Sequence, residues 1–360
     1  MACHGTACDC TAPGEPDAPP RDSSRRGYRP LLLDGRNPQA LTTAAEVLRS
    51  GGLVALPTET VYGLGADARN AEAVARVFRA KGRPADNPLI VHLPDAAAAA
   101  AVAELTPLAR RLAARWWPGP LTLVLRARPG LPACTTGGLN TVAVRVPDHP
   151  VALELLLAAG VPVAAPSANR SGGPSPTTAR HVLADLAAEV DVVLDGGPCR
   201  VGVESTVVDA RGPLPVVLRE GAVTREQLGA CVEPAGAGAA VAASPGTRHR
   251  HYAPACAVLL RPPGRAAADA AALAADGYRV GLVAGETSAG LPGVVGIGRF
   301  DSVEELAGIL YTALRDADAL ELDACVIEEV PARGLGRAVM DRLRRAAAGS
   351  GTLSPGRLVS

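Results

Sequence analysis

The chain has 360 residues, enough for two domains with a core each. Its 36 basic and 36 acidic residues cancel to a formal net charge of zero, which argues against a broad electrostatic footprint for nucleic acid or an anionic membrane. No apolar run reaches membrane-spanning length and the amino terminus lacks the uninterrupted apolar core of a signal peptide, so a soluble cytoplasmic protein is expected.

Residues 1–28 open with MACHGTACDC, in which Cys3, Cys8 and Cys10 stand near His4. This spacing matches no familiar zinc pattern, and proline, glycine and charge follow it without periodicity. The segment therefore reads as a disordered extension whose cysteines and histidine are incidental, the alternative being a metal site formed by them. Cys134, Cys199, Cys231, Cys256 and Cys325 are scattered singly and read as reduced thiols. LLLDG predicts an edge strand, and LTTAAEVLRSGG a helix capped by Thr42 or Thr43 and ended by Gly51-Gly52.

LVALP is a short apolar run ended by proline, hence a buried strand. Thr58, Glu59 and Thr60 follow at its carboxyl end, then Tyr62-Gly63-Leu64-Gly65, which reads as a glycine-rich turn. Asn70 can cap a helix whose apolar positions Ala73, Val74, Val77 and Phe78 keep helical spacing, and Gly82 stops it. Lys81 and Arg83 leave the end of that helix together. Lys81 is the one lysine among the 36 basic residues, either a surface lysine or a site that needs a compact ammonium rather than a guanidinium fork. Asn87-Pro88 precedes LIVHL, a second buried strand carrying His92; a histidine there is a satisfied core residue or a ligand contact. Open α/β sheets put ligands outside the carboxyl ends of their strands. A hydroxyl cluster, two cations, an amide and an imidazole gathered there suggest a polyanion pocket.

The alanine run from Ala96 to Ala101 predicts plain helix, TPLARRLAARWW a further helix ending against Pro118-Gly119-Pro120, and LTLVLRA a strand. TVAVRVP alternates, so Thr141, Ala143 and Arg145 share one face and Val142, Val144 and Val146 the other. Arg145 with Thr141 is an edge decoration or a ligand-facing pair. VPVAAPSANRSGGPSPTTARHVLADL reads as strand, polar loop and helix; Ser175 to Thr178 either make an ordinary strand-to-helix turn or offer caps and amide donors to an anion, and the plain turn leaves Ser167, Ala168 and Asn169 without a role. VDVVLDGG and STVVDA predict strands around a loop holding Glu204 and Ser205, and PVVLREG a strand carrying Arg219.

These elements make a first domain over 29–230. Residues 231–255 turn rich in alanine, glycine and proline and read as a linker whose end, from Ser244 to Tyr252, carries charge and an aromatic that a tether does not need. Over 256–348 strands alternate with helices, which predicts a smaller doubly wound domain, and 349–360 reads as a flexible tail.

PTETVYGLG, KGRPADNPLIVH, WPGPLT, TVAVRVP, APSANRSGGPSPT, GVEST and SPGTRHRHYAP, in this order, closely resemble the YrdC/Sua family of L-threonylcarbamoyl-AMP synthases in its two-domain form. The resemblance implies a YrdC-like α/β fold, a twisted open sheet with helices and a concave ligand pocket, followed by a smaller Rossmann-like domain. It implies the joining of L-threonine, bicarbonate or CO2 and ATP, with Mg2+ carried by the nucleotide, into threonylcarbamoyl-adenylate and pyrophosphate. A downstream transferase would receive the product for tRNA threonylcarbamoyladenosine modification. Residue by residue, Thr60, His92, Arg145, Ala165 (by backbone) and Ser205 fall on the threonine and carbamate side. Arg83, Asn87, Thr141, Ser167, Asn169, Ser175, Arg219, Ser244 and Tyr252 fall on the ATP side. Lys81 and Arg83 form the family's KxR element and are expected to neutralise the phosphates and orient the carbamate. Thr247 and His249 depart from the methionine and tyrosine common in relatives, which bears on how the linker packs. Two alternatives are an enzyme that forms a carbamoyl-adenylate for hydrogenase maturation, which is much longer and has zinc segments, and an RNA-binding regulator. Zero net charge and few aromatics disfavour the latter, and no stable nucleic-acid binding is expected.

Overall fold

The structure, a computed structural model, describes residues 29–84, 87–229, 233–234, 252–285 and 290–353. Eleven strands form the first sheet: β1 (Leu31–Asp34), β2 (Val54–Leu56), β3 (Gly63–Asp67), β4 (Ile90–His92), β5 (Leu121–Arg126), β6 (Thr141–Arg145), β7 (Val163–Ala164), β8 (Val192–Asp195), β9 (Thr206–Asp209), β10 (Val216–Arg219) and β11 (Glu233–Pro234). Their order is β1-β8-β2-β3-β7-β4-β6-β5-β9-β10-β11, with parallel and antiparallel pairs mixed. The helices here are α1 (Pro38–Arg49), α2 (Ala71–Lys81), α3 (Ala96–Val102), α4 (Pro107–Trp116), α5 (Ala133–Thr136), α6 (Pro150–Ala159), α7 (Ala179–Leu186) and α8 (Arg225–Leu228).

Strand alternation sorts the core into faces. Ala55, Val91, Leu123, Leu125, Val142, Val144 and Val193 point to one face, where Val74, Val77 and Phe78 of α2, Leu108 and Leu112 of α4 and Val182 of α7 cover them. Their neighbours point to the other face, which is covered unevenly. At one end Val54, Leu56, Val192 and Leu194 pack under α1 and α6. At the other end Ile90, Val124, Ala143, Val207 and Leu218 form only a small apolar floor, and the cleft described below lies on this half-covered side.

Local signals place most helix ends. Asn70 caps α2, accepting from the Glu72 and Ala73 amides at 3.1 Å each, and Gly82 ends it in the left-handed region. Two expectations are corrected. The cap of α1 is Asn37 with Pro38 behind it, not Thr42 or Thr43; those threonines lie inside the helix, their hydroxyls donating to the carbonyls of Pro38 and Gln39. The glycine-rich turn at residues 62–65 is in fact the start of β3, paired antiparallel with β2. Its glycines serve close packing: a Cβ on Gly65 would lie 2.9 Å from side-chain carbons of both Leu56 and Val163.

The second sheet is parallel, β12 (Ala257–Arg261), β13 (Val280–Ala284), β14 (Val294–Arg299) and β15 (Ala324–Glu328) in the order β12-β15-β13-β14. Helix α9 (Ala266–Ala275) covers one face through Ala266 and Ala270. Helices α10 (Val303–Ala319) and α11 (Leu335–Gly349) cover the other, through Leu306, Leu310, Leu314, Val339 and Leu343. Val61 and Val203, from loops of the first sheet, complete this second core, so the two sheets share buried apolar surface. No helix among the described residues is long and apolar enough to cross a membrane.

Candidate active site

The cleft begins at the turn after β2. Thr58 Oγ1 donates to the Val61 carbonyl at 2.6 Å and accepts from the Thr60 and Val61 amides, folding residues 58–61 back on themselves. This turn presents Glu59 and Thr60 to Arg145, the last residue of β6. Arg145 Nη1 donates to Thr60 Oγ1 at 2.9 Å, Nη2 pairs with Glu59 Oε1 at 2.7 Å, and Nε donates to the Gly119 carbonyl at 3.2 Å. His92 is opposite Arg145 in the parallel β4/β6 register. Burial first, and Arg145 second, push its pKa down to about 3, so it is a neutral imidazole, and its Nδ1 has no hydrogen-bond partner among the described residues.

The second wall is the loop after β7. Ser167 Oγ donates to Asn169 Oδ1 at 2.6 Å, and Asn169 Nδ2 donates to the carbonyls of Arg170 and Gly173. Lys81 closes the same loop from behind, its Nζ donating to the carbonyls of Ser167 (2.6 Å) and Asn169 (2.5 Å). Burial, followed by Arg83, holds its pKa well below the ordinary lysine value. Lys81 is 3% exposed, which excludes the surface-lysine reading, and in this conformation it braces the wall rather than lining the cleft. Arg83 does line it, with Nε and Nη2 donating to the carbonyls of Asn87 and Pro88 at 3.4 and 3.2 Å.

The third wall comes from the strands beyond β5. Arg219 Nη2 donates to the Ser205 carbonyl (2.9 Å) and hydroxyl (3.1 Å), and Thr122 Oγ1 lies 2.8 Å from that hydroxyl. Ser175 Oγ donates to Glu204 Oε1 at 2.7 Å. Burial raises the Glu204 pKa, but Arg342 and then Arg219 outweigh it, so the carboxyl sits below its ordinary value. Tyr252 closes the cleft with its backbone in the left-handed region, φ 69°, a conformation that costs a non-glycine residue about 1–3 kcal/mol and clusters at functional sites.

Of the residues expected from sequence, Thr60, Arg83, His92, Arg145, Ala165, Ser167, Asn169, Ser175, Ser205, Arg219 and Tyr252 line this one cleft. The Ala165 amide is already donated to the Ile90 carbonyl. Asn87 and Thr141 are buried near it without lining it, the first beside Arg83 and the second four residues before Arg145 on β6. Ser244 and the amino-terminal Cys3, Cys8, Cys10 and His4 lie outside the described residues. Sequence reasoning gave no role to Glu59 or Glu204, although the first sits inside PTET and the second inside GVEST. Tyr311 and Arg342, which reach Glu204 from α10 and α11, have no local signal at all.

A cleft lined by three guanidinium groups, a neutral imidazole and a series of hydroxyls, on a half-covered mixed α/β sheet, defines an α/β enzyme that positions a small anionic substrate by charge and hydrogen bonds. The chain belongs to the Sua5/YciO/YrdC family. Its residues 46–221 match the family profile described as "Telomere recombination", and residues 223–348 match "Threonylcarbamoyl-AMP synthase, C-terminal domain". It is 43% identical over 330 residues to a threonylcarbamoyl-AMP synthase of Bacillus subtilis, covering 88% of this chain and 95% of the relative. A threonylcarbamoyl-AMP synthase of Pyrococcus abyssi is 45% identical over 317 residues, 84% of this chain and 92% of the relative. The fold is similar to P. abyssi Sua5 crystallised with L-threonine, at a TM-score of 0.82 and 40% identity over 89% of this chain and 99% of that one.

Proposed function

We propose that the protein synthesises L-threonylcarbamoyl-adenylate. Threonine's unprotonated amine takes up CO2 or bicarbonate to give a carbamate, a carbamate oxygen attacks the α-phosphorus of ATP in line, and pyrophosphate leaves. The observation that supports this reading is that residues from both groups assigned by resemblance, Thr60, His92, Arg145, Ala165 and Ser205 of the threonine and carbamate side and Arg83, Ser167, Asn169, Ser175, Arg219 and Tyr252 of the nucleotide side, line a single cleft. The chemistry asks the protein mainly for positioning and charge neutralisation. Arg145, fixed between Glu59 and Thr60, suits the threonine carboxylate or the carbamate. The Ser205 hydroxyl and the neutral His92 ring complete that side by hydrogen bonding and shape. Arg83 and Arg219 suit the phosphates, with Ser167, Ser175 and Tyr252 around the nucleoside.

Mg2+ enters as part of the substrate MgATP. The one carboxylate among the described lining residues, Glu204, is engaged by Ser175, Tyr311 and Arg342. The product, a reactive mixed anhydride, would pass to a transferase that places the threonylcarbamoyl group on tRNA.

Pyrophosphate release measured with ATP and bicarbonate, each amino acid offered in turn, tests the reading. Threonine is required, and serine is slower by roughly tenfold to a hundredfold, since one methyl in a fitted pocket discriminates by about 1–3 kcal/mol. Release equally fast without threonine would sink it.

A further inference from the structure

Glu204 poses an electrostatic problem in a cleft meant for a triphosphate, because it is a buried carboxylate there. Arg219 of the first sheet offsets part of its charge, but the groups that bond the carboxylate directly from across the interface belong to the second domain. Arg342 Nε on α11 donates to Oε2 at 3.0 Å, and the Tyr311 hydroxyl on α10 lies 3.0 and 2.9 Å from the two carboxylate oxygens. The Arg342 side chain is 0% exposed. Its guanidinium also stands 5.8 Å from the ring centroid of Tyr252, which stacks on Tyr311 with centroids 5.5 Å apart. These two residues of the second domain therefore hold two lining residues of the first cleft, Glu204 and Tyr252, and through Glu204 they hold the Ser175 hydroxyl. Neither lines the cleft itself. Stability alone does not call for this arrangement, because a well-packed apolar trio commonly matches or exceeds a buried ion pair, and Val61 and Val203 already tie the two cores together.

We infer that Tyr311 and Arg342 are positioning residues for ATP, a step that rests on the function proposed above. They keep Glu204 neutralised and turned toward Ser175, so that the incoming triphosphate meets no uncompensated carboxylate, and they fix the ring of Tyr252 at the cleft's edge. The second domain is thus a structural half of the nucleotide site.

The test uses the full chain, with ATP binding measured by calorimetry and the KM values for ATP and threonine measured separately. Arg342→Met weakens ATP binding by about tenfold or more, since truncating one member of a buried charge pair leaves the other charge unpaired. The KM for threonine stays within about twofold, because the Thr60 and Arg145 contacts are untouched. Adding Glu204→Gln to Arg342→Met restores most of the ATP affinity, because the charge that Arg342 cancelled has gone. Tyr311→Phe, which keeps the stacked ring and loses only the hydroxyl, raises the ATP KM by about threefold to tenfold. A double variant no better than Arg342→Met, or KM values for ATP and threonine that rise together, would overturn the inference. Should Arg342→Met not fold, Tyr311→Phe and the double variant decide, and an unchanged ATP KM in Tyr311→Phe counts against it. Wild-type protein that binds no ATP overturns this and the proposed function together, whereas normal wild-type binding with unaffected variants overturns this alone.

Discussion

Arg145 and Glu59 meet at 2.7 Å with their side chains 4% and 1% exposed, so the guanidinium that stands opposite the neutral His92 in the strand register is held by a carboxylate that solvent does not reach. Removing one member of such a pair leaves a buried charge unpaired, at a cost of about 3–5 kcal/mol. Glu59→Ala is expected to lower unfolding stability by about that amount and to release Arg145 from its aim at Thr60, with turnover falling as well. Glu59→Gln keeps the shape and costs less. Urea unfolding of both variants checks the order; equal, small losses would mean that the pair is dispensable.

His92 predicts an acid-sensitive branch of stability. The unfolded chain binds a proton on this ring below about pH 6.5, whereas the folded chain does so only near 3, where burial and Arg145 have put the pKa. Between those values the unfolded state carries more protons, so stability is complete above about 6.5 and falls as the pH is lowered, by at most about 1.4 kcal/mol per pH unit. His181, brought down to about 4 by burial and then Arg315, adds to the same branch. The readout is therefore a difference: melting temperature against pH is expected to fall less steeply in His92→Asn than in the wild type. Parallel curves would show that His92 is not the titrating group.

Lys81 is expected to tolerate no substitution well. Lys81→Met leaves the Ser167 and Asn169 carbonyls without their buried donor, at about 1–3 kcal/mol for each unsatisfied group. Lys81→Arg keeps the charge but forces a wide fork into a space shaped for a point donor. Both variants should lose turnover by at least about tenfold, by displacing the loop that carries Ser167 and Asn169. Wild-type turnover in Lys81→Arg would remove Lys81 from the machinery.

Residues 244–252 are expected to matter beyond tethering. Replacing them with glycine and serine removes Ser244 and the Tyr252 ring that borders the cleft, and turnover should fall nearly as far as in a chain ended after Arg219. Tyr252→Phe, which keeps the stack on Tyr311, should fall less than Tyr252→Ala. A glycine-serine variant with full turnover and unchanged ATP affinity would show that the segment only connects.

What the sequence determined by itself is whatever is written within a few residues. Asn70 and Gly82 bound α2 because capping and left-handed termination are decided by a side chain and its nearest amides. The alternation of residues 141–146 put Arg145 on the face opposite Val142, Val144 and Val146 because a strand has a period of two. The resemblance carried by the ordered motifs, rather than capping or periodicity, named the further residues expected at the site, eleven of which line the cleft. Tertiary structure alone decided that Gly63 begins a strand, since the reason for glycine at 65 is the approach of Leu56 and Val163 from other strands. It decided that the one lysine points inward, because its acceptors are carbonyls 86 and 88 residues away. It also brought Tyr311 and Arg342 to Glu204 across 107 and 138 residues. Propensity, capping and periodicity act between near neighbours, whereas a buried charge finds its partner only after the sheets have packed, and that meeting leaves no periodic trace in the chain.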